Sequence, residues 1–380
     1  IMKMEEQHHD SVENRLYKSH TIKRGARAGE IQISRNMKAI QKRVMEGFQR
    51  QQLDPPLTDG GQIATSKEAM LDSGDEVLAV MAKAQYASKI LTSYVPSLEN
   101  GTQVPMNPQY NLLLATGRTS CSQPSEGKGF NPQVLPRQPG VRECIIPRTG
   151  YVFGSVDYDQ LELCTFGQIL FDIFGESAMR DAINAGQDLH IRLAAEYLKI
   201  TYEEAFQRYQ EKDPELIDAR QTMKPANFGF PGGMGAPKFV AFCKASLKEK
   251  DWKKLWAPLS VDERIRKAEH LRQVYLEATP QVRDYFDQMS NRIGPLGKGK
   301  IIQHRSGRVR GGASFCEACN TLFQGLAADG AKEALWRVAR ECYEGGRHDA
   351  KGQYTCPEKL GDDLSPLYGS RPIAFIHDQI

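Results

Sequence analysis

The sequence lacks the features that mark membrane, secreted and disulfide-stabilised proteins. No apolar run approaches the ~18 residues that a membrane-spanning helix needs, and no signal-peptide pattern is present. The 8 cysteines are scattered without a disulfide framework, which is typical of the reducing cytoplasm, where we expect this protein. The formal net charge of +3 is too small to demand a nucleic-acid partner, and it excludes none, because a basic groove fits within a balanced total.

Length and polarity set the general class of the protein. The chain has 380 residues, of which 26% are charged, so it can bury a sizeable core and form about two or three domains. Helical patterns cover residues 65–98 and 160–290, whereas apolar runs at 151–157 and 372–376 predict strands. A basic, glycine-rich ribbon spans residues 294–312. We therefore expect helices and strands within one chain, without an internal repeat.

Asp157 stands where the first predicted strand ends and a helical pattern begins at Leu161. A carboxylate at such a junction is held by rigid backbone, and Mg²⁺ takes one or two carboxylates plus substrate phosphates. The alternatives are a turn or cap role, and Asp159-x-x-Glu162 is itself a capping-box pattern. Asp378 follows the second predicted strand, so the pair predicts a two-metal phosphoryl-transfer site, with an exposed hairpin Asp as the alternative.

A second informative stretch is the helix predicted to begin at Pro214. Arg220, Lys224, Asn227 and Phe228 recur at helical spacing and share one face. Arg and Lys bind phosphates and an aromatic ring stacks on a base, so this face suits a nucleoside triphosphate. The alternative is a solvated basic face with Phe228 in the core.

Taken together, these stretches resemble the polymerase region of family A DNA polymerases, the group of bacterial DNA polymerase I and many phage replicases. The matching residues are collinear over roughly residues 60–380: Thr92-Ser93-Tyr94-Val95-Pro96, Thr116-Gly117-Arg118, Asn131, Pro136-Arg137, Asp157, Gln160, Glu162, Asp188-Leu189-His190, Arg220, Lys224, Phe228, Gly229, Asn320, Gln324-Gly325, Ala327-Ala328-Asp329 and His377-Asp378.

The resemblance implies an α/β (α+β) right-hand polymerase fold with a palm sheet, helical fingers and a helical thumb. It divides the chain into a polar lead-in and thumb (1–110), a first part of the palm (111–165), the fingers (166–305) and a second part of the palm (306–380). The implied reaction is template-directed addition of deoxynucleotides to a primer 3′ end. The implied partners are primer–template DNA and deoxynucleoside triphosphates, with no membrane.

The resemblance also implies a role for each matching residue. Catalysis falls to Asp157, Asp378 and Lys224, and the metal ligands are Asp157, Asp378 and the Tyr158 carbonyl, holding two Mg²⁺ ions or Mn²⁺ in their place. Substrate contacts fall to Tyr158, Gln160, Glu162, His190, Arg220 and Phe228. DNA contacts fall to Arg118, Arg137, Asn320, Gln324 and His377. Glu162 would be the gate beneath the sugar, where a 2′-hydroxyl would clash.

The chain departs from the family pattern at four positions. Gly232 stands where Tyr is usual, Cys164 and Cys316 stand where Arg is common, and Gln379 replaces the Glu that usually follows the last metal-binding Asp. A zinc site is a less favoured interpretation of four cysteines, Cys316, Cys319, Cys342 and Cys356.

Three other functions are open. A single-subunit RNA polymerase shares the architecture, but Glu162 and Phe228 argue against it. A catalytically impaired DNA-binding fragment is the second. The third is one half of a split enzyme with an accessory or complementary subunit: the chain opens at Ile1 rather than Met and stops at Ile380, within a predicted strand, so we expect a fragment of something longer.

Overall fold

A computed structural model of the chain describes residues 15–21, 23, 29–51, 54–58, 61–122, 131–136, 139–361, 363–376 and 379. These residues fall into two compact units, one ending at Asn107 and the other beginning at Pro108. All the predicted site residues that the structure describes belong to the second unit.

The first unit combines a β-hairpin with short helices. Strands β1 (Tyr17–Thr21) and β2 (Ile31–Arg35) pair antiparallel. The helices are α1 (Met37–Arg50), α2 (Lys67–Asp72), α3 (Glu76–Lys89) and α4 (Val95–Gly101), with a π-helical turn at Ile90–Tyr94. Val44, Leu78 and Met81 are buried in its core. The helical pattern predicted over 65–98 is confirmed, with Ser66 and Asp75 capping α2 and α3.

The second unit is mainly helical. Its helices are α5 (Leu161–Phe174), α6 (Ala178–Asn184), α7 (Leu189–Leu198), α8 (Tyr202–Gln210), α9 (Pro214–Gly229), α10 (Ala236–Ser246), α11 (Glu249–Leu255), α12 (Val261–Ala278), α13 (Gln281–Ile293), α14 (Phe315–Glu344) and α15 (Pro357–Leu360). A core that includes Phe166, Leu216, Phe239 and Tyr285 is shared by the helices up to α14, and α15 adds no buried residue. Within the described residues, no helix combines the length and the apolarity that crossing a membrane requires.

Helix α9 begins where the sequence predicts. Asp213 caps it, accepting a hydrogen bond from the Leu216 backbone N–H at 2.9 Å, and Pro214 occupies the first turn. The helix continues through Pro225 to Gly229 and ends in a short 3₁₀ turn, Phe230–Gly232. The candidate face of α9 is therefore carried by one continuous element.

The strands of the second unit form two-stranded ribbons. β3 (Gln109–Asn111) pairs with β4 (Ser120–Ser122), and β7 (Arg347–His348) pairs with β8 (Tyr354–Thr355). The basic ribbon of residues 294–312 contains β5 (Gly299–Ile302), which pairs with β6 (Val309–Ala313). Each pair is antiparallel, so each register is set by a local connection.

Two strand predictions are wrong. Residues 151–158 belong to no strand or helix, and their apolar side chains are exposed, Val152 to 88% and Val156 to 72%. Residues 372–376 likewise form no strand, apart from a single bridge between Ile376 and Gln379. An apolar run becomes a strand only when a neighbour completes its hydrogen-bond ladder, and a local pattern cannot supply that neighbour.

Candidate active site

The solvent-facing side of α9 carries the predicted phosphate and base contacts. Lys224 is exposed, Phe228 is 41% exposed and Arg220 is half-buried. The three side chains lie within about 80° of helical rotation, so they face one direction, as predicted. Met223 and Ala226 on the same helix are fully buried, which fixes the orientation of this face. The alternative that Phe228 lies in the core is therefore wrong.

His190 lies behind this face, at the start of α7. It is 5% exposed, and its ring centroid is 5.7 Å from that of Phe228. Burial is the main cause that lowers the pKa of His190 to about 4, and the charges of Arg220 and Lys224 act in the same direction. The imidazole is therefore neutral at pH 7.

Asp188 joins α7 to α9. Its Oδ1 accepts hydrogen bonds from the backbone N–H groups of His190 and Ile191, which caps α7. Its Oδ2 accepts from Nη2 of Arg220 at 2.7 Å. Burial opposes ionisation, but the Arg220 guanidinium and the Ile191 N–H outweigh it and lower the pKa of Asp188. The Nε of Arg220 is buried without a hydrogen-bond partner among the described residues.

Asn227 does not lie on the exposed face, which corrects the prediction. It is 3% exposed, and its Nδ2 donates to the Leu189 carbonyl at 3.1 Å and to Nδ1 of His190 at 2.9 Å. Asn227 follows Arg220 by seven residues, or about 700° of helical rotation. It therefore lies about 20° from Arg220, on the side away from Lys224. Because an amide nitrogen only donates, Nδ1 of His190 accepts and the neutral ring carries its proton on Nε2.

Asp157 and Tyr158 lie on the exposed segment without regular secondary structure that precedes α5. At Gln160, the N-cap of α5, the backbone adopts the left-handed region with φ of 52°. A non-glycine residue in this region costs energy and is most common near functional sites. The charge of Asp159 reaches His190, where it opposes the lowering of the pKa.

Glu162 forms an ion pair with Arg118, so the predicted sugar gate and a predicted DNA contact meet. The capping-box alternative is wrong. Helix α5 begins at Leu161 with Gln160 as its N-cap, so Glu162 is its second residue and Asp159 makes no cap. Glu162 is therefore oriented by Arg118 rather than by the backbone of its own helix.

The last described residues lie beside the Asp157 segment. Nε2 of Gln379 donates a hydrogen bond to Oγ of Ser155, whereas a carboxylate at 379 could only accept a hydrogen bond from that hydroxyl. Phe375 is buried, and its N–H donates to Oη of Tyr110 at 2.8 Å. Three predicted site residues lie outside the described residues: Arg137, His377 and Asp378.

Two predicted DNA contacts, Asn320 and Gln324, are half-buried one turn apart on α14. Nδ2 of Asn320 donates to the Cys316 carbonyl at 2.7 Å, and Sγ of Cys316 donates to the Gly233 carbonyl at 3.5 Å. A β-carbon at Gly232 would lie 2.8 Å from the amide of Asn320. The departures from the family pattern at 232 and 316 are thus packed together around Asn320.

The donor set at Asp157 fits a hard cation, because the Asp157 carboxylate and the Tyr158 carbonyl offer oxygen ligands from an exposed segment. Within the described part of the chain, no three His, Cys, Asp or Glu side chains cluster closely enough to hold a metal ion. The zinc interpretation of the cysteines is therefore wrong. Cys319 is buried, which raises the pKa of its thiol.

Comparison with protein families covers almost the whole chain. The family model described as DNA polymerase family A matches residues 3–378. The chain belongs to DNA polymerase family A. The resemblance inferred from the motifs is thereby confirmed, including its extent over the region from residue 60 onward.

Curated relatives of this family A chain include bacterial polymerases. The chain is 23% identical over 295 residues to the thermostable DNA polymerase I of Thermus filiformis, covering 73% of this chain and 31% of the relative. It is 26% identical over 298 residues to DNA polymerase I of Caldicellulosiruptor bescii, covering 73% and 30%. The chain therefore spans about a third of the length of these relatives.

Among solved structures, this family A chain is similar to the POL domain of Pol1 from M. smegmatis, determined in complex with DNA primer-template and dNTP. The TM-score is 0.54 at 19% identity, over 90% of this chain and 57% of that chain. The likeness confirms the predicted fold class, an α/β (α+β) polymerase fold.

Sequence reasoning assigned no role to the residues that hold the site in place. For Asp188 a signal was present, because an Asp directly before a helical pattern is a typical N-cap. For Gln303 and Arg308 no local signal exists, since their partner Asp329 is 26 and 21 residues away. These contacts depend on how a hairpin packs against α14.

Proposed function

We propose that the chain is the polymerase region of a DNA-directed DNA polymerase, which transfers deoxynucleotides to a primer 3′ end on a template and releases pyrophosphate. The observation that carries this proposal is the face of α9. Lys224 and Phe228 point into solvent, and the neutral His190 and the paired Arg220 stand behind them. Phosphate and base contacts are thereby combined on one surface.

Each group on this face has a distinct task in the proposed reaction. Lys224 supplies an exposed ammonium that binds the triphosphate and offsets the charge that develops on it. Arg220 is held in one orientation by Asp188, so its remaining N–H groups are directed before substrate arrives. His190 donates a neutral hydrogen bond from Nε2, and Phe228 stacks against the incoming base and sugar.

The proposed metal ligands are Asp157, the Tyr158 carbonyl and Asp378, with Mg²⁺, or Mn²⁺ in its place. When bound, two such ions make the primer 3′-hydroxyl a better nucleophile and neutralise phosphate charge. The oxygen donors on the exposed Asp157 segment support this assignment, because Mg²⁺ prefers carboxylate and carbonyl oxygens.

Selectivity for deoxynucleotides is assigned to Glu162. The carboxylate is 24% exposed and paired with Arg118, so it is held near the start of α5 rather than free to swing away from a 2′-hydroxyl. Contacts to the primer–template are assigned to Arg118, Arg137, Asn320, Gln324 and His377, which would position the duplex without reading its sequence.

The proposed partners are primer–template DNA and deoxynucleoside triphosphates, in the cytoplasm. The M. smegmatis structure supports both partners, since it is a complex with DNA primer-template and dNTP. Assignment of residues 1–110 to a thumb, 166–305 to fingers and the rest to a palm stays part of the proposal.

A second candidate is an impaired DNA-binding fragment or one half of a split polymerase with a complementary subunit. It is favoured by the exposed run that includes Val152, Phe153 and Val156, which has no strand partner among the described residues. A palm strand supplied by another polypeptide would cover it.

Primer extension tests these functions against one another. The chain is incubated with a primer–template, Mg²⁺ and either deoxy- or ribonucleoside triphosphates, and duplex binding is measured in parallel. We expect extension with deoxynucleotides. Equal use of both nucleotides contradicts the role of Glu162, and duplex binding without extension supports the impaired fragment. Extension that requires a second polypeptide carrying a palm strand supports the split enzyme.

A further inference from the structure

The turn Thr116-Gly117-Arg118 rests directly on the side chain of Arg308. Gly117 has φ of +83° and its N–H donates to the Leu114 carbonyl at 2.9 Å, which closes the turn. A β-carbon at Gly117 would lie 2.7 Å from Cζ of Arg308. Glycine is therefore needed here both for its backbone conformation and for the close approach of the guanidinium.

Arg308 cannot easily move away from Gly117, because it is anchored on two sides. Its Nη2 forms an ion pair with Oδ1 of Asp329, and its Nη1 donates to Oε1 of Gln303 at 3.1 Å. Nε2 of Gln303 in turn donates to Oδ2 of Asp329 at 2.9 Å. Arg308, Gln303 and Asp329 thus form a closed triangle, and the planar guanidinium is held in one orientation.

The triangle is anchored by a buried side chain, Gln303, while Arg308 and Asp329 are partly exposed. Gln303 is 2% exposed, and its backbone N–H donates to the Arg308 carbonyl at 2.7 Å across the β5–β6 connection. A β-carbon at Gly325 on α14 would lie 2.5 Å from Cδ of Gln303. In the Gln324-Gly325 motif, Gln324 is a predicted DNA contact. The neighbouring Gly325 leaves the space that the Gln303 side chain occupies.

A continuous set of contacts leads from the triangle to the proposed sugar gate. Gly117 rests on Arg308, and the next residue, Arg118, is paired with Glu162 on the first turn of α5. Helix α5 is tied to α14 separately, since Oγ1 of Thr165 donates to the Phe323 carbonyl at 3.0 Å. Both partners of the Arg118–Glu162 pair are thus located relative to α14.

We infer that Arg308, Gln303 and Asp329 act as positioning residues that set the discrimination between deoxy- and ribonucleotides through Gly117, Arg118 and Glu162. The inference rests on the proposed role of Glu162 as the sugar gate. Loss of the triangle releases the Gly117 turn, so that Arg118 no longer holds the Glu162 carboxylate in a single place. A 2′-hydroxyl is then tolerated, because the group that excludes it can move.

The test measures kcat/KM for one deoxynucleotide and its ribonucleotide in single-nucleotide primer extension, for the unmodified chain and for Arg308→Gln and Asp329→Asn. We expect the ratio of the two values to fall by roughly tenfold to a hundredfold, the scale on which small misplacements of a catalytic group act. The ratio is independent of the fraction of folded enzyme, so a variant that is only less stable leaves it unchanged.

The matched control is Arg310→Gln. Arg310 lies two residues further along the same ribbon and also binds α14, donating to Oε1 of Glu317 and to Oγ1 of Thr321 at 3.4 Å. It has no described contact with the Gly117 turn, so its loss should leave the nucleotide ratio unchanged. A fall in the ratio for Arg310→Gln as large as that for Arg308→Gln would contradict the inference.

Gly117→Ala tests the same contact at its other partner. The added β-carbon at residue 117 should displace the Arg308 guanidinium from Asp329. If the contacts act as one unit, the double variant Gly117→Ala/Arg308→Gln loses no more selectivity than the more affected single variant. Losses that multiply would overturn the inference. An unmodified chain that shows no preference for deoxynucleotides contradicts the role of Glu162, whereas a preference retained by Arg308→Gln contradicts this inference alone.

Discussion

The face of α9 and the segment around Asp157 are supported in different ways. Lys224 and Phe228 stand on a helix whose other side is buried. Behind them, Asp188 caps α7 and pairs with Arg220 of α9, and the His190 ring accepts a hydrogen bond from Asn227 of α9. Asp157 stands on an exposed segment that belongs to no strand or helix. The proposed phosphate-binding side is therefore supported by a packed core, whereas the proposed metal-binding side stands on an exposed segment.

This difference bears on how the two halves of the proposed site would work. Charged groups that are fixed before substrate binds cost no reorganisation during the reaction, so the α9 face can act on a nucleotide as it stands. We expect the Asp157 carboxylate to become fixed when a cation or a neighbouring strand adds contacts. Predictions that separate the two halves therefore test the comparison directly.

The largest expected effect is at Asp157. Asp157→Ala should abolish primer extension and leave duplex binding intact, because the variant removes a metal ligand and no DNA contact. Extension rate and duplex affinity are measured with Mg²⁺ present. Asp159→Asn is the matched control, since it alters an exposed carboxylate two residues away and should retain extension. Equal loss in both variants would show that the segment, rather than the Asp157 carboxylate, is what matters.

A smaller effect is expected on the α9 face. Lys224→Gln should raise KM for the deoxynucleotide by about thirtyfold, because a hydrogen bond to a charged group contributes about 2 kcal/mol. Steady-state extension at varied nucleotide concentration measures it. Lys238→Gln, an exposed lysine on α10, serves as control and should leave KM unchanged. An unchanged KM for Lys224→Gln would contradict the nucleotide assignment of this face.

The support behind the α9 face should show as a pH dependence of stability. The folded-state pKa of His190 is about 4, below its ordinary value, so the folded protein binds fewer protons than the unfolded chain. The contribution of the neutral His190 ring to the free energy of unfolding is fully present above about pH 6.5. It is lost as the pH falls towards 4. Urea unfolding at pH 7 and pH 5 should show a loss of about 2 kcal/mol in the unmodified chain beyond that in His190→Gln. Equal losses would mean that His190 is not buried as a neutral ring.

The smallest expected effect is at the end of α9. Gly232→Ala should lower the free energy of unfolding by about 1 kcal/mol, because the new β-carbon would lie 2.8 Å from the amide of Asn320. The cost should disappear when Asn320→Ala is also present, and chemical denaturation of the four variants measures both. A cost that persists without the Asn320 side chain would place the constraint in the Gly232 backbone instead.

Much of the helical framework follows from local signals. The cap at Asp213 with Pro214 predicts the start of α9, and helical spacing predicts that Arg220, Lys224 and Phe228 share a face. These predictions succeed because capping and the 3.6-residue period are properties of a single segment. The same period places Asn227 only about 20° from Arg220, so the prediction that it is exposed is wrong for a different reason. Helix α7 packs on that side of α9 and buries Asn227.

Strands and positioning contacts depend on partners that are distant in the sequence. The apolar run at 151–157 predicts a strand, but its own residues cannot supply a ladder partner. The ion pair between Arg118 and Glu162 joins residues 44 apart, and no local pattern indicates that it replaces the capping box. The same holds for Arg308 and Asp329.

The sequence by itself therefore determined the family of this chain, the helices of its second unit and the residue types that the proposed chemistry needs. Helix spacing and capping are properties of one or two turns of chain, and the motifs are recognised by their residues and their order along the sequence. Only the tertiary structure decided that His190 is a neutral, buried ring, that Glu162 is held by Arg118 and that Gly117 rests on Arg308. Burial and ion pairing across distant segments exist only after the chain has packed, and they set the charge and the position of each group.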